Sequence, residues 1–401
     1  MKKTITSVLL LSMLVACSKQ NSEPISTAPS VSSLSRSTIH FADTLLINGT
    51  NFDPTASNNT VTINNVNATV FKASATSLSV SVPAVGTTKA NVVIKTTQGR
   101  VEAGTLIYEP DIFVAGYEQN YSNGIVKYWK NGKEVALTRG NSDARPHAIF
   151  VKDNDIYVAG YQDETAVYWK NSTLSTLTKR EYGGRATSIF VTNNNDVYIA
   201  GYENVRARYW KNGTLVVLED SNLMSIPHAI YVKDNDVYVT GYDNLGGISN
   251  IKLWKNGIGT FVSTRSQFSA GISIDIAGND IYIAGSEYKA NKPVAKYWKN
   301  GTAVVLSDGS QNAVATSIKV KDNDVYVAGY DGNVAKYWKN GTSYPLTDGT
   351  KPAIANAIFL FGSDVYVAGL EGNIAKYWKN GVAIELTNGT SPAELTSMFV
   401  R

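Results

Sequence analysis

The stretch "DVYVAGYDGNVAKYWKNG" at 324–341 returns as "DVYVAGLEGNIAKYWKNG" at 364–381, and this recurrence constrains the fold more than any other feature. Seven copies of its first part begin at Asp111, Asp155, Asp196, Asp236, Asp280, Asp324 and Asp364. Each is followed by a "YWKNG"-like element carrying Trp129, Trp169, Trp210, Trp254, Trp298, Trp338 or Trp378, which are all seven tryptophans of the chain. An element such as "ATSIFV" or "PHAIYV" precedes every Asp after the first. A seventh, "LTSMFV" at 395–400, ends the sequence with no Asp element behind it. Each unit reads as four strands, and the leftover strand completes the first unit. Seven four-stranded blades then close into an all-β ring with no open edge, a β-propeller. A solenoid is the rival for such a period, but no segment reads as a polar cap.

The order of a small-residue strand, an Asp turn, a Gly-ending strand and a Trp-bearing strand resembles the WD40 layout. The "GH" and "WD" dipeptides of that family are absent, so the resemblance implies the propeller class and no particular family.

Before the ring, 28–109 contains short alternating strands, "DTLLING" (43–49), "NTVTINN" (59–65), "TSLSVSVP" (76–83) and "ANVVIKT" (90–96), separated by Gly, Asn and Pro turns. The pattern predicts a small β-sandwich. The succession "LLINGTNFDP", "NTVTINNVNATV", "ATSLSVSVPA" and "GTLIY" resembles the IPT/TIG immunoglobulin-like family. That resemblance implies a spacer or protein-binding module and carries no catalytic residue.

The chain begins "MKKTITSVLLLSMLVACSKQ". Lys2 and Lys3 precede an apolar run from Ile5 to Val15 that is too short to stay across a bilayer. Leu14-Val15-Ala16-Cys17 resembles a bacterial lipobox, which implies cleavage of 1–16 and lipid on Cys17, the only cysteine. Residues 17–27 then form the lipidated Cys and a polar tether, and the propeller spans 111–401. Ser18 after the cysteine implies the outer membrane of a two-membrane bacterium. The side on which the protein faces stays open, because "SKQNSEP" has only Glu23 as an acid. Loss of Lys2 and Lys3 lowers the formal charge from +4 to +2, with no basic run. Nucleic acid is excluded as a dedicated partner. No free thiol would remain for disulfides or a Cys metal site, no cofactor motif is present, and a monomer is expected.

Residues repeated in every blade belong to the scaffold, because no single ligand needs seven copies. Asp155, Asn235 and their equivalents are expected in the two-residue turn of "KDND", and "KNG" reads as a second hairpin turn. A Ca²⁺ site is the alternative for "DND", but EF-hand-like spacing and a following carboxylate are missing. The tryptophans read as blade-to-blade packing. Tyr117, Tyr161, Tyr202, Tyr242 and Tyr330 end their strands beside a loop, where Ser286 and Leu370 replace them.

Length varies in one place. From Asp to Trp the copies run 18, 14, 14, 18, 18, 14 and 14 residues, while Trp to the next Asp is 26 or 27. The extended segments 118–126, 243–251 and 287–295 should rim one face, where binding groups sit over a rigid scaffold. On that face the inner strands begin with Glu394, Arg145, Arg185, Ile226, Ala270, Val314 and Ile354, one charged sector beside four apolar blades. Two residues on stand Thr396, His147, Thr187, His228, Ile272, Thr316 and Asn356. Arg145 and Arg185 are candidates to grip a carboxylate or phosphate. The alternative is an Arg–Glu–Arg ion network around Glu394. His147 and His228, one blade apart, read as satisfied polar residues and not as a shared metal site. Tyr121, Tyr182, Phe268 and Tyr288 are candidate aromatic platforms.

These features point to a non-catalytic, lipid-anchored envelope protein that recognises a glycan or a protein. A structural scaffold in an envelope assembly is the alternative, and a polysaccharide hydrolase or lyase is the second. Against an enzyme, the acids Asp163, Glu164, Glu181, Glu203, Glu219 and Asp220 are scattered across blades.

Overall fold

The computed structural model describes residues 27–120, 123–218, 224–245, 247–263 and 268–401. The chain divides into two compact units. The first comprises residues up to Ser37 with Thr44–Pro83 and Asn91–Thr105; the second comprises Thr38–Asp43, Ala84–Ala90 and Leu106–Arg401.

The N-terminal segment is a two-layered β-structure whose eight strands follow one hydrogen-bonded order. Strand Val66–Ser74 pairs with Ser77–Ser81 and with Thr60–Ile63, and a bulge between Val70 and Lys72 lets it pass from one layer to the other. Alternation along Thr44–Thr50 and Lys89–Thr96 turns Leu45, Ile47, Val92 and Ile94 into the core. The glycine of "INGTNF" is required sterically, since a Cβ on Gly49 would lie 1.9 Å from the Ser30 carbonyl oxygen.

Seven four-stranded antiparallel sheets follow, as the repeat predicts. The first blade is completed by the C-terminal strand Ala393–Val400, which pairs with Ile112–Asn120 through partners such as Glu394 with Tyr117 and Val400 with Ile112. Blade 2 has the simplest form: Ala144–Lys152, Asp155–Gln162, Thr165–Lys170 and Thr173–Thr176, from the channel outward.

Each tryptophan is at most 2% exposed. Trp169 of blade 2 packs on Phe113, Val126 and Tyr128 of blade 1, and Trp210 of blade 3 packs on Tyr157, Ala159 and Ala166 of blade 2. The wedge recurs around the ring. This is why the residue repeats without a ligand: removing such a ring leaves a cavity worth about 3–5 kcal/mol.

The repeated Asp, Lys and Asn form a second staple. In every blade the Asn side-chain amide donates to the Asp carboxylate at 2.6–2.8 Å. The Asn carbonyl oxygen in turn accepts the N–H of the residue after Asp at 2.8–2.9 Å. The neighbouring Lys reaches the same carboxylate at 2.6–3.3 Å. Asp155 is therefore a strand residue, contrary to expectation; the left-handed residue of its turn is Asp153, at φ 50°. Asn235 does lie in its turn, beside Asp234 at φ 54°. A carboxylate already engaged by Lys and Asn serves hairpin closure rather than Ca²⁺.

The extended segments are not loops. Asp280–Lys289 and Lys292–Lys299 pair through to Lys289 with Lys292, and Asp236–Leu245 and Ile248–Lys255 through to Leu245 with Ile248. Four extra residues add two to each strand, which keeps every side chain on its original face because the pleat repeats every two residues.

Candidate functional site

The site begins with a glycine. In "VAGY" and its variants the glycines are Gly116, Gly160, Gly201, Gly241, Gly285, Gly329 and Gly369. A Cβ there would lie 1.9–2.3 Å from the carbonyl oxygen of the facing inner-strand residue. The carbonyl comes so close because every inner strand is irregular at the next step, its register shifting between Pro146 and Ala148 and at the equivalent place in all seven blades. The residue skipped by the pairing is His147, Thr187, His228, Ile272, Thr316, Asn356 or Thr396. A bulge re-aims its side chain, and here all seven line the wide end of the central channel, a funnel of about 460 Å³.

Sequence symmetry hides how differently the two arginines behave. Arg185 lines the funnel, with its guanidinium 4.1 Å over the Tyr161 ring of the preceding blade and no carboxylate within 4.0 Å among the described residues. Arg145 sits 4.2 Å over Tyr117 in the same way, but it donates to the Ala144 carbonyl at 2.9 Å and lies 3.8 Å from Asp143. It does not line the funnel. The expected two-arginine grip is therefore not assembled. Nor is the Arg–Glu–Arg network: Glu394 accepts the Tyr117 hydroxyl at 2.9 Å and the Asn356 amide at 3.2 Å instead. Burial, then Glu394, pushes the Tyr117 phenol up to about 12, so it stays a donor.

His147 and His228 both line the funnel, each against a tyrosine: His147 with Tyr161 at 5.9 Å and His228 with Tyr242 at 5.7 Å. Enclosure pushes both imidazoles down to about 4, with Arg185, His228 and Arg145 adding to the effect at His147. They are neutral at pH 7. The expectation that both are satisfied fails at His147, whose Nε2 is buried without a hydrogen-bond partner. Among the described residues no group of three or more His, Cys, Asp or Glu could hold a metal.

Two deeper layers went unread in the sequence. Ser188, Ser273, Ser317 and Ser397 each accept the backbone N–H of the next blade's inner strand, at 3.2 Å in every case. Below them Tyr231, Phe190, Phe150, Phe399 and Phe359 form a chain of ring contacts at 5.1–5.3 Å. Lys319 and Asp275, 3.8 Å apart, complete this collar, and Lys319 lies 5.9 Å from the Phe359 ring. The signal was present in the fourth position of "TSIFV": Phe, Phe, Tyr, Asp, Lys, Phe and Phe around the ring, with an opposite-charge pair in adjacent blades.

Of the aromatic candidates, Phe268 and Tyr288 come together edge-on at 6.1 Å, and with Tyr242 they wall a largely apolar cleft of about 360 Å³. The cleft exists because Ala270 and Ser286 are small where other blades carry larger side chains. Tyr182 stands exposed in the turn Arg180–Tyr182, with the Lys179 ammonium 5.9 Å from its ring. Tyr121 and Cys17 lie outside the described residues, as do Glu219 and Asp220.

No curated protein matches the sequence. Among solved structures, a protein of unknown function from Bacteroides thetaiotaomicron is similar over 93% of this chain and 98% of its own, at 12% identity and a TM-score of 0.50. An auxiliary nutrient binding protein from the same organism aligns over 89% and 85%, at 14% identity and a TM-score of 0.32. A putative phosphatase from that organism aligns over 93% and 97%, at 12% identity and a TM-score of 0.29. Of these three, the first alone reaches a fold-level likeness, and at that identity it speaks of fold and nothing further. The family model described as IPT/TIG domain matches residues 29–108. The chain thus carries an IPT/TIG domain at 29–108, followed by a seven-bladed β-propeller.

Proposed function

We propose that this protein is a non-catalytic binding protein of the cell envelope, anchored by lipid at Cys17, whose propeller recognises a glycan through the funnel on the long-hairpin face. One observation carries this reading: blades that repeat their Trp, Asp–Asn–Lys and Gly residues diverge at the seven bulged positions that face one cavity. A scaffold ring needs no particular variety there, whereas a recognition site needs different groups around one ligand. The hydroxyls of Thr187, Thr316 and Thr396 and the Asn356 amide donate within the protein, which leaves their oxygens to accept from a polyol, and Phe268 with Tyr288 offers exposed ring faces nearby on the rim. A glycosidase would want two carboxyl groups roughly 5–10 Å apart; among the described funnel-lining residues Glu394 is the carboxylate, already engaged by Tyr117 and Asn356. We place the protein as a monomer on the outer membrane of a two-membrane bacterium.

The test is a glycan array probed with the soluble chain from Ser18 onward, neutral and acidic glycans included. Reproducible hits that vanish on Thr316→Val with Asn356→Leu would support the reading. A clean array with folded protein would move the assignment to a protein ligand.

A further inference from the structure

Resting on that reading, we infer that the funnel contains an anion subsite, in which Arg185 and His147 hold the carboxylate of an acidic sugar. Four observations converge on it.

Among the described residues Arg185 has no carboxylate within 4.0 Å, whereas each of the three buried lysines has one. Lys127 meets Glu118 and Glu134 at 2.7 Å, Lys252 meets Asp243 at 3.0 Å, and Lys376 meets Glu371 at 2.8 Å. Arg185 has the Tyr161 face and the cavity. A guanidinium stacked by its face keeps its in-plane N–H groups for a planar, bidentate acceptor, and a carboxylate is one.

His147 lines the same wall, and its unpaired Nε2 is closed to solvent in the empty funnel, so a turn of the ring is needed to offer it to a ligand. Leaving such an atom unpaired is costly, and a ligand that pairs it recovers the cost. The groups facing this imidazole are Arg185, His228 and Arg145, with the Tyr161 ring against it. Burial first, and then these neighbours, keep the empty site's imidazole unprotonated; a bound carboxylate would oppose the neighbours' part.

Beneath them the floor is rich in donors. Ser188, Ser273, Ser317 and Ser397 each accept one backbone N–H, and among the described residues no acceptor takes their hydroxyl hydrogens, which can be given to a ligand. Below lies the collar, whose rings narrow the channel and whose one cation, Lys319, already faces Asp275.

Beside Arg185 the wall turns apolar at Ile226 and Ile272, in the next two blades, before Thr316 and Asn356 make it polar again. A ligand with an anionic edge and a C–H face fits this division, as a uronic acid does. Glu394, held by Tyr117 and Asn356, is placed to accept a sugar hydroxyl rather than to repel the anion at Arg185 two blades away.

The experiment titrates the full chain carrying Cys17→Ser with glucuronate, glucose and sulfate, by calorimetry and by histidine NMR. The sequence has three histidines, so the signals are few. Glucuronate should bind, shift the His147 resonance upward in pKa while leaving His40 unmoved, and bind more tightly at pH 5 than at pH 7. Arg185→Gln should lose about 30-fold in affinity, Arg185→Lys less, and Arg145→Gln no more than about 3-fold. Competition by sulfate would support a general oxyanion pocket; sulfate binding without glucuronate would overturn the sugar-acid assignment. Unchanged affinity in both Arg185 variants, or glucose binding as well as glucuronate, would overturn the subsite. Neutral glycans bound at this face, with glucuronate ignored, would sink this inference and leave the glycan reading standing; silence from every glycan would end both.

Discussion

The Arg185 guanidinium lies 4.1 Å over the Tyr161 ring and opens to the funnel, while Arg145 makes the matching stack on Tyr117 at 4.2 Å and does not. The difference traces to hairpin length. The long first-blade hairpin covers Arg145 so closely that a Cβ on Gly124 would fall 2.1 Å from its Nη1. Blade 2 has a short hairpin, Asp155–Gln162 with Thr165–Lys170, and leaves Arg185 uncovered. Four residues inserted in one blade thus decide what an arginine in the next can do.

If the stack orients Arg185, Tyr161→Leu should weaken glucuronate binding by about 3- to 5-fold, the worth of about 0.5–1 kcal/mol for such a contact. Tyr161→Phe should bind as the parent does. Calorimetry on the two variants separates an orienting ring from a spectator.

Asp364 is among the less exposed members of the Asp–Asn–Lys staple, bonded by Asn380 at 2.8 Å and Lys379 at 3.1 Å. Asp364→Ala should destabilise the propeller by about 1–2 kcal/mol, discounted for its partial exposure. Chemical denaturation with an unchanged m-value would show the loss. A variant as stable as the parent would mean that the staple records geometry without holding it.

Acid should act on the same staple. The Lys170 ammonium, then the Asn171 amide, holds the Asp155 carboxyl below its usual value, and Asp236, Asp280 and Asp324 are lowered alike by Lys255, Lys299 and Lys339. A depressed folded pKa gives stability that is present above the unfolded value of about 3.9 and is lost as pH falls through the folded one. Thermal midpoints should therefore hold from pH 7 to about 5 and fall below about 4. Replacing these four aspartates by asparagine should lower the plateau and flatten the acid limb. An acid limb as steep as the parent's would assign the acid sensitivity elsewhere.

Gly201→Ala places a Cβ 2.2 Å from the Arg185 carbonyl oxygen and 2.9 Å from the Trp210 ring. Neither backbone nor buried ring gives way freely, so a loss of about 1–3 kcal/mol is expected. Because the strain falls on the bulge that aims Thr187 and on the backbone of Arg185, ligand affinity should fall with it. Measuring both on one variant tests the link between the scaffold glycine and the site; lost stability with intact binding would break that link.

Strand Ala393–Val400 closes the ring against Ile112–Asn120. Ending the chain at Thr390 should expose that edge, remove Met398 and Phe399 from the core and collar, and abolish cooperative unfolding of the propeller. A sharp two-state melt in the truncated chain would show that closure is dispensable.

The repeat by itself determined the blade count, the strand order and the closure, because seven Asp and seven Trp elements with one orphan strand admit few topologies. Burial of the tryptophans followed from the same logic: a group copied seven times must answer a need that every blade shares. The alternating core of 29–108 was legible because one buried face imposes a period of two. Tertiary structure alone decided the site. Spacing aligned His147, His228 and the five equivalent residues on one face, but a β-bulge leaves no mark in one strand's sequence, since it arises from how two strands pair, so their turn into one cavity was not legible. The bulge also explains the glycine opposite, whose need is a carbonyl oxygen from a distant part of the chain. Arg145 and Arg185 look equivalent in sequence; they differ because the hairpin covering each belongs to its neighbour, and neighbours exist only once the ring has closed.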